Sequence, residues 1–415
     1  MARYYIETYG CTANRGESRA IERRLRDGGH RPVETPAAAD AVILNTCTVI
    51  ETTEDNMLRR ARELQDEGEL IVTGCMALAQ GSAFAEADVD ASVVGWDEVP
   101  DVVSNGECPT VTPDTEPILD GVIGILPLAR GCMSDCSYCI TKAATGRIDS
   151  PPVEENVARA RELLEAGARE IRITGQDTGV YGLDHGEHWL PDLLRGICAL
   201  EGDFRVRLGM ANPWGIHPIR EEIARLMAEC PELYNFIHLP VQSGSDDVLE
   251  EMRRQHSVAE FREIVDTFDR ALEEWSLATD FVVGFPTERA ADHRASVDLL
   301  ETVEPETINV TRFSKRPGTD AAEMKGLGGT VKKERSRELS ERKEAIVGQV
   351  HEDLLGSRRE VLVAEPGTGS SLQAYDDAYH RVVIPDEHSA GIELGDRVEV
   401  EITDHNTFYA FGEPV

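Results

Sequence analysis

Lysine is scarce in this sequence of 415 residues. It occurs at only six positions: Lys142, Lys315, Lys325, Lys332, Lys333 and Lys343. Asp and Glu total 77 against 42 for Lys and Arg, so the formal net charge is −35. The acidic residues are spread along the whole chain, which indicates a solvated, carboxylate-rich surface rather than an acidic tail. We interpret this as halophilic adaptation, because at about 1 M salt the Debye length is about 3 Å and self-repulsion is largely screened.

Long apolar runs are also missing. No stretch approaches the roughly 18 apolar residues of a membrane span, and the start of the chain lacks the apolar region of a secretory signal. We therefore expect a cytoplasmic protein with no membrane partner. Thiols stay reduced in that compartment, so the nine cysteines are expected to be metal ligands, catalytic groups or small core residues rather than a disulfide framework.

Three short apolar runs in the first hundred residues each end in a polar turn and a cysteine: Cys11, Cys47 and Cys75. Helical periodicity follows the first two, at about Gly16–Arg26 and Glu54–Gln65, which predicts an α/β domain with a parallel sheet. Ligands bind outside the carboxyl ends of parallel strands, so the three thiols are expected to converge there. The strand order does not follow from the sequence.

A linker is predicted at about Glu98–Asp120, which is rich in Pro, Asp and Thr. After it, apolar runs alternate with helical patterns in six β/α units, enough for an open partial barrel of the TIM type. The predicted strands are Gly121–Leu128, Glu170–Thr174, Arg205–Leu208, Phe236–Leu239, Ala278–Val283 and Thr307–Val310. The predicted helices are Glu154–Ala166, Pro191–Leu200, Ile219–Ala228, Ser257–Trp275, Ala291–Glu301 and Val331–His351. From about Gly356, short alternating runs at 360–363, 379–384 and 397–402 predict a small all-β barrel.

Cys132, Cys136 and Cys139 form a C-x₃-C-x₂-C loop directly after a predicted strand. A compact loop can bring three thiolates onto one iron–sulfur cluster, and three ligands leave one of four irons open for chemistry. A structural zinc site is the alternative, but it normally needs a fourth Cys or His at short spacing. Cys11, Cys47 and Cys75 fit a second three-thiolate cluster. The other cysteines, Cys108, Cys198 and Cys230, have no such partners and are expected to be structural.

With both triads in place, the sequence resembles the methylthiotransferases of the radical S-adenosylmethionine (SAM) superfamily. The shared motifs beyond the cysteines are Asn45-Thr46-Cys47, Gly175-Gln176-Asp177, the run from His238 to Ser245, Gly284-Phe285-Pro286 and Arg316-Pro317-Gly318-Thr319. The resemblance covers essentially the full length and implies three domains. These are an N-terminal domain with a cysteine triad at 1–105, a radical SAM domain at 118–352, and a TRAM domain, an RNA-binding OB-like barrel, at 353–415.

The resemblance also implies two 4Fe–4S clusters held by the two triads, and SAM bound at the open iron of the Cys132, Cys136 and Cys139 cluster. Matching positions make Tyr138 an aromatic contact of the SAM adenine. Gln176, Arg207, Gln242 and Ser245 are candidates for the polar groups around SAM, since barrel sites gather at the carboxyl ends of the strands. For each of these residues, the alternative is a structural contact within the protein.

The segments 207–213 and 312–319 are similar to the archaeal and eukaryotic branch of the family. That branch implies a tRNA substrate with N6-threonylcarbamoyladenosine next to the anticodon, methylthiolated at adenine C2. The implied partners are the tRNA anticodon arm, an electron donor such as a ferredoxin or flavodoxin, and a sulfur donor. Alternatives are an isopentenyl-adenosine tRNA or a ribosomal-protein side chain as substrate, or a non-catalytic iron–sulfur RNA-binding protein. Candidate RNA contacts in the last barrel are Tyr375, Tyr379, His380, Arg381, Phe408, Tyr409 and Phe411. Core packing is the alternative for about half of these aromatic residues.

Overall fold

In a computed structural model, which describes residues 1–48, 51–106 and 117–415, the chain begins with a five-stranded parallel sheet. The elements of this N-terminal region are β1 (Arg3–Thr8), α1 (Thr12–Asp27), β2 (Arg31–Pro32), β3 (Ala41–Thr46), α2 (Glu51–Leu64), β4 (Glu69–Gly74), α3 (Cys75–Gln80), α4 (Ser82–Glu86), β5 (Ser92–Val93) and α5 (Val99–Val103). The strand order is β2-β1-β3-β4-β5. Strands β1, β3 and β4, which precede the three predicted cysteine ligands, are therefore neighbours.

The central strand β3 is buried along its whole length, as expected for a parallel strand with helices on both faces. Successive side chains point to opposite faces, so Val42 and Leu44 belong to one apolar cluster while Ala41 and Ile43 belong to another. Both predicted helices are present, as α1 and α2, with ends that differ by a few residues.

The predicted linker at Glu98–Asp120 begins later than expected. Helix α5 occupies its first part, because Val99 and Val103 are one helical turn apart and both are buried against the second apolar cluster. Pro100 sits in the first turn of the helix, where proline is tolerated. Cys108 and the rest of 107–116 lie outside the described residues.

The middle of the chain is an open barrel of parallel strands, which confirms the predicted fold class. Its elements are β6 (Ile123–Pro127), α6 (Thr141–Thr145), α7 (Val153–Glu165), β7 (Glu170–Thr174), α8 (Leu190–Cys198), β8 (Arg205–Arg207), α9 (Pro213–Ile216), α10 (Arg220–Glu229), β9 (Phe236–His238), α11 (Asp246–Glu251), α12 (Val258–Ala271), β10 (Ser276–Val283), α13 (Ala290–Val303), β11 (Thr307–Arg312), α14 (Asp320–Glu323) and α15 (Gly329–Asp353). The sheets β6-β7-β8 and β9-β10-β11 are joined by a bridge between Val206 and Leu233. None of the helices in the described ranges has the length and apolar character of a membrane span.

Two cysteines expected to lack partners are bonded to each other. Cys198 ends α8 and Cys230 follows α10, and the structure joins them in a disulfide. Helices on the outside of a parallel barrel run side by side in the same direction, so the carboxyl ends of α8 and α10 are neighbours. The expectation that these thiols stay separate was wrong because it considered each helix alone.

The C-terminal region is a closed five-stranded barrel. Its strands are β12 (Arg358–Pro366), β13 (Leu372–Tyr375), β14 (Arg381–Ile384), β15 (Arg397–His405) and β16 (Ala410–Pro414), in the order β12-β13-β14-β16-β15. The sequence predicted three of these strands and missed β13 and β16, which are short. This barrel docks at the amino ends of the strands of the middle domain, where Tyr379 donates a hydrogen bond to the carboxylate of Glu170 at the start of β7.

Candidate active site

The thiols of Cys11, Cys47 and Cys75 follow three neighbouring strands of the N-terminal sheet. Cys11 directly follows Gly10, three residues beyond the end of β1, Cys47 comes directly after β3, and Cys75 begins α3. Because the carboxyl ends of parallel strands meet at one edge of a sheet, the three thiols face a common space. Cys47 is buried, Cys75 is half-buried and Cys11 is exposed, so the space opens outward on the Cys11 side.

Close backbone packing holds this edge together. Gly74 has φ +87°, and a Cβ atom there would lie 2.2 Å from Asn45 Oδ1 and 2.4 Å from the Thr46 carbonyl oxygen. Only glycine fits at this position, where β4 turns into the helix that begins with Cys75. Below it, the Asn14 amide donates to Asn45 Oδ1 and to the Thr46 carbonyl, both at 3.0 Å. These buried amides link the first turn of α1 to the end of β3 and so position Cys11, which directly precedes α1, beside Cys47.

The second triad lies on the loop after β6. Within it, the Ser134 N–H donates to Cys132 Sγ at 3.3 Å, and the Cys139 N–H donates to the Cys136 carbonyl at 3.2 Å. The preceding Gly131 has φ +87°, and a Cβ atom there would lie 2.1 Å from the Arg147 carbonyl oxygen. The loop is thus tightly folded, and its three sulfurs lie at the carboxyl ends of the barrel strands, where barrel sites gather.

The two triads adjoin each other. Helix α3, which begins with Cys75, packs against α6, which follows Cys139. Burial raises the pKa of the Cys75 thiol, and the nearby Glu17 carboxylate and the thiols of Cys11, Cys47 and Cys139 raise it further. Cys139 therefore lies within electrostatic range of Cys75. The barrel triad thus lies beside the site where Cys11, Cys47 and Cys75 were predicted to converge. The sequence did not indicate that the two triads are adjacent.

The thiol chemistry suits iron–sulfur clusters better than single ions. Both triads lie within the described residues, and in neither of them are the three sulfur atoms all within 4.8 Å of one another. The ligands of a single small ion would be that close. A cluster accommodates wider spacing, because each thiolate binds a different iron. Burial, followed by nearby Asp177, raises the pKa of Cys132 to about 11, so a thiolate here needs a compensating cation. The iron of a bound cluster would supply that charge.

Arg254 is a positive side chain turned toward the barrel triad, and sequence reasoning missed it. Its Nη1 lies 3.7 Å from Cys136 Sγ, and its Nη2 donates to the Pro240 carbonyl at 2.8 Å. Donors to the sulfur of a cluster ligand orient it and stabilise its negative charge. The doublet Arg253-Arg254 in the sequence carries no signal of which arginine faces inward.

Two predicted motif loops are tied together beside this triad. The Asp177 carboxylate accepts hydrogen bonds from the Asn212 side chain at 2.6 Å and from the Asn212 backbone N–H at 2.9 Å. Burial raises the pKa of Asp177, although its bonds to Asn212 oppose the shift. The Gly-Gln-Asp motif after β7 and the Met-Ala-Asn-Pro segment after β8 thus form one rigid rim.

The five predicted SAM contacts have the following surroundings. Tyr138 packs edge-on against Phe285 with ring centroids 6.4 Å apart, and Gln176 Oε1 accepts from the Gly131 N–H at 2.9 Å. Gln242 has φ +71° at the carboxyl side of β9. Their roles toward SAM stay predictions.

Two of those contacts also have structural partners. Ser245 Oγ donates to Asp292 at 2.8 Å. The Arg207 guanidinium lies over the rings of Phe236 and Tyr379, at 5.0 and 5.5 Å from their centroids. Tyr379 belongs to the C-terminal barrel, so Arg207 takes part in docking that barrel.

Three family matches cover most of the chain. Residues 3–95 match the uncharacterized protein family UPF0004, residues 126–300 match the radical SAM superfamily, and residues 353–415 match the TRAM domain. The solved radical SAM methyltransferase TsrM from Kitasatospora setae superposes with a TM-score of 0.59 at 15% identity, covering 77% of this chain and 76% of that one. At that identity the likeness concerns the fold.

Full-length relatives are considerably closer in sequence. The probable threonylcarbamoyladenosine tRNA methylthiotransferase of Archaeoglobus fulgidus is 35% identical over 99% of this chain and 98% of its own length. The corresponding protein of Methanothermobacter thermautotrophicus is 36% identical over 92% and 93% of the two chains. The threonylcarbamoyladenosine tRNA methylthiotransferase of Homo sapiens is 32% identical over 100% of this chain and 74% of the human protein.

Proposed function

This chain belongs to the threonylcarbamoyladenosine tRNA methylthiotransferases, and from that membership we propose the reaction that it catalyses. It converts N6-threonylcarbamoyladenosine next to the anticodon of a tRNA to the 2-methylthio derivative. The enzyme is a radical SAM transferase. Its tRNA partner is supported by the C-terminal TRAM match.

The observation that carries the proposal is the meeting of the two cysteine triads. Methylthio transfer needs a sulfur source and a radical source within reach of one adenine, and here α3, which begins with Cys75, packs against α6, which follows Cys139. We propose that Cys132, Cys136 and Cys139 hold one 4Fe–4S cluster and that Cys11, Cys47 and Cys75 hold a second. When bound, the clusters and SAM supply the sulfur, the methyl group and the radical chemistry that replaces a C2 hydrogen with a methylthio group.

The residues around the barrel triad have roles that follow from their contacts. Tyr138, Phe285 and Phe313 belong to one apolar cluster beside the cysteine loop, which keeps water away from the reacting groups. Arg254 donates toward Cys136 and holds its orientation. Gln176, Gln242, Ser245 and Arg207 are proposed polar contacts of SAM, together with Tyr138 at the adenine.

The remaining features of the proposal rest on the sequence. The domains are proposed to span 1–105, 118–352 and 353–415, and the location is proposed to be the cytoplasm. The reaction consumes electrons and sulfur, so the partners include an electron donor such as a ferredoxin or flavodoxin, and a sulfur donor.

A reconstitution experiment with triad variants tests the proposal. The protein is loaded anaerobically with iron and sulfide, then incubated with SAM, a reductant and tRNA that contains N6-threonylcarbamoyladenosine. Nucleoside mass spectrometry should detect the 2-methylthio product. Replacing Cys132, Cys136 and Cys139 with Ala should abolish SAM cleavage and remove about half of the iron, because one of two clusters is lost. Replacing Cys11, Cys47 and Cys75 should preserve reductive SAM cleavage but stop the product.

The control is Cys198→Ala with Cys230→Ala, which removes cysteines from the outside of the barrel and should keep the full iron content. Unchanged iron in the Cys11, Cys47 and Cys75 variant would contradict the second cluster. Product formed only with isopentenyl-adenosine tRNA, or only with a ribosomal protein, would contradict the substrate. If the protein binds iron but never cleaves SAM, the result would favour the alternative of a non-catalytic iron–sulfur RNA-binding protein.

A further inference from the structure

A short segment near the end of the middle domain carries a net positive charge in this acidic chain. Residues 312–333, called the basic segment below, contain six basic residues and only two acidic ones. The basic residues are Arg312, Lys315, Arg316, Lys325, Lys332 and Lys333, so the segment holds four of the six lysines of the protein. Such a reversal of sign in a chain with a net charge of −35 needs an explanation.

Most of these cations have no carboxylate partner. Within the part of the chain that the structure describes, Arg312, Lys315, Lys325, Lys332 and Lys333 form no ion pair. Lys332 donates instead to the Phe313 carbonyl at 3.1 Å, and Lys315 donates to the Ala322 carbonyl. Carbonyl oxygens are neutral, so these contacts leave the positive charges uncompensated. Carboxylates are abundant elsewhere: Lys142, the one lysine before the segment, pairs with Asp135 at 3.1 Å.

The inner side of the basic segment is anchored to the radical SAM loop. The Ala321 N–H donates to the Ser137 carbonyl at 2.9 Å, and Phe313 and Ala321 lie in the apolar cluster that Tyr138 contacts. The carbonyl contact of Lys332 fastens the start of α15 to the end of β11. The cations at 312–315 and 332–333 therefore lie close together in space.

The same segment also contacts the N-terminal domain. The buried Arg316 donates to Glu54 at 2.6 Å, and Glu54 accepts from Gln80, at the end of the helix that begins with Cys75, also at 2.6 Å. The basic segment thus spans the space between the two cysteine sites. Its remaining cations face outward, since Arg312, Lys315, Lys325 and Lys333 are exposed.

We propose that the basic segment binds the phosphate backbone of the substrate RNA and holds the target base beside the two cysteine sites. This inference rests on the proposed function, which supplies an RNA substrate, and it adds a second RNA contact to the C-terminal barrel. At about 1 M salt the Debye length is about 3 Å, so only cations in direct contact with phosphates contribute to affinity. A group of cations beside the two cysteine sites therefore contributes more to RNA affinity than the same number of cations spread over the surface.

The test compares two triple variants that remove the same charge. The segment variant is Arg312→Gln, Lys325→Gln and Lys333→Gln. The control variant is Arg31→Gln, Arg161→Gln and Arg262→Gln, which are exposed arginines on other faces, without an ion pair in the described parts of the chain. Both are loaded with iron and checked for iron content and circular dichroism. Binding of tRNA that contains N6-threonylcarbamoyladenosine is measured by fluorescence anisotropy over a series of KCl concentrations.

The segment variant should bind at least about tenfold more weakly. Its slope of log Kd against log salt should fall by about 2, because each lost phosphate contact with single-stranded RNA contributes about 0.7. The control should keep the affinity and slope of the wild type. A charge-keeping variant, Arg312→Lys with Lys325→Arg and Lys333→Arg, should also bind like the wild type.

Equal affinity and slope for the segment variant and the wild type would overturn the inference and leave the proposed function intact. A weaker affinity with an unchanged slope would also overturn it, because lost phosphate contacts must change the slope. If the wild type itself binds no tRNA, the proposed substrate fails, and the segment proposal fails with it.

Discussion

Arg253 and Arg254 are adjacent in sequence but have opposite surroundings. Arg253 is exposed and pairs with Asp320 at 2.5 Å on the surface. Arg254 reaches Cys136 Sγ and the Pro240 carbonyl inside the barrel mouth. Reduction potentials of iron–sulfur clusters depend on net charge and on hydrogen bonds to the sulfurs. Arg254 should therefore influence the reduction potential of the cluster, and Arg253 should not.

Arg254→Gln should lower the reduction potential of the proposed barrel cluster, because removing a positive charge and a donor makes the cluster harder to reduce. Loss of such an outer contact typically costs about 10- to 100-fold in metal affinity or activity. A redox titration followed by electron paramagnetic resonance, together with iron content, measures both effects. Arg253→Gln is the matched control and should match the wild type. Identical potentials and iron contents in all three proteins would show that Arg254 does not act on the cluster.

At the scale of elements, the C-terminal barrel divides its aromatic residues between two surfaces. Tyr375 and Tyr379 are stacked with centroids 4.3 Å apart, and they donate hydrogen bonds to Glu365 and Glu170. His380 is buried and bonded to Asp376. For these three residues the core-packing alternative holds, because the docking interface and the barrel itself occupy them.

The other predicted RNA contacts remain accessible. Phe408 is 60% exposed, and the Arg381 guanidinium lies over the Tyr409 ring at 5.8 Å from its centroid. Tyr409 packs edge-on against Phe411. This surface offers aromatic faces and one cation, the groups on which unpaired bases stack.

Two barrel variants should therefore have opposite effects. Phe408→Ala with Tyr409→Ala should weaken tRNA binding by about 1–3 kcal/mol, the usual value of one base–aromatic stack, and should leave the melting temperature nearly unchanged. Tyr379→Ala should instead destabilise the protein by about 3 kcal/mol, because it leaves a cavity between two domains and removes the donor to buried Glu170. Anisotropy titrations and thermal melts separate the two. Normal RNA binding by the double variant would mean that this surface is not an RNA contact.

At the scale of the whole molecule, charge is the dominant feature. Many arginines pair with carboxylates across domain boundaries: Glu365 of β12 pairs with Arg172 of β7 at 3.0 Å and with Arg15 of α1 at 3.5 Å. Those pairs leave a large excess of carboxylates on the surface. The Debye length is about 30 Å at 0.01 M salt and about 3 Å at 1 M, so repulsion among the carboxylates extends across the protein only in dilute buffer.

We therefore expect the melting temperature to rise between dilute buffer and molar KCl, since screening removes repulsion that favours the unfolded chain. Circular dichroism melts over a KCl series measure this. NaCl in place of KCl should give a similar rise, because Debye screening depends on ionic strength and not on the identity of the cation. A melting temperature that is the same in dilute and molar salt would contradict halophilic adaptation.

The sequence alone determined most of the elements and singled out the six cysteines of the two triads. The six strands of the middle barrel were all predicted, and β7 was predicted at its observed ends, Glu170–Thr174. Such patterns depend on the alternation of apolar and polar residues within a few positions of one another, which is readable along the chain. The C-x₃-C-x₂-C loop was equally local, because its three thiols lie within eight residues.

Only the tertiary structure decided which distant residues meet. Helix α3, which begins with Cys75, packs against α6, which follows Cys139, and Cys198 is bonded to Cys230. Arg254 rather than Arg253 faces Cys136, and Tyr379 lies at the docking interface, where it donates to Glu170. Each of these contacts joins segments that are distant in sequence. The apolar and polar pattern within each segment is compatible with many ways of packing the segments together. Close packing of the helices, sheets and domains selects one of them, and that selection depends on the whole chain at once.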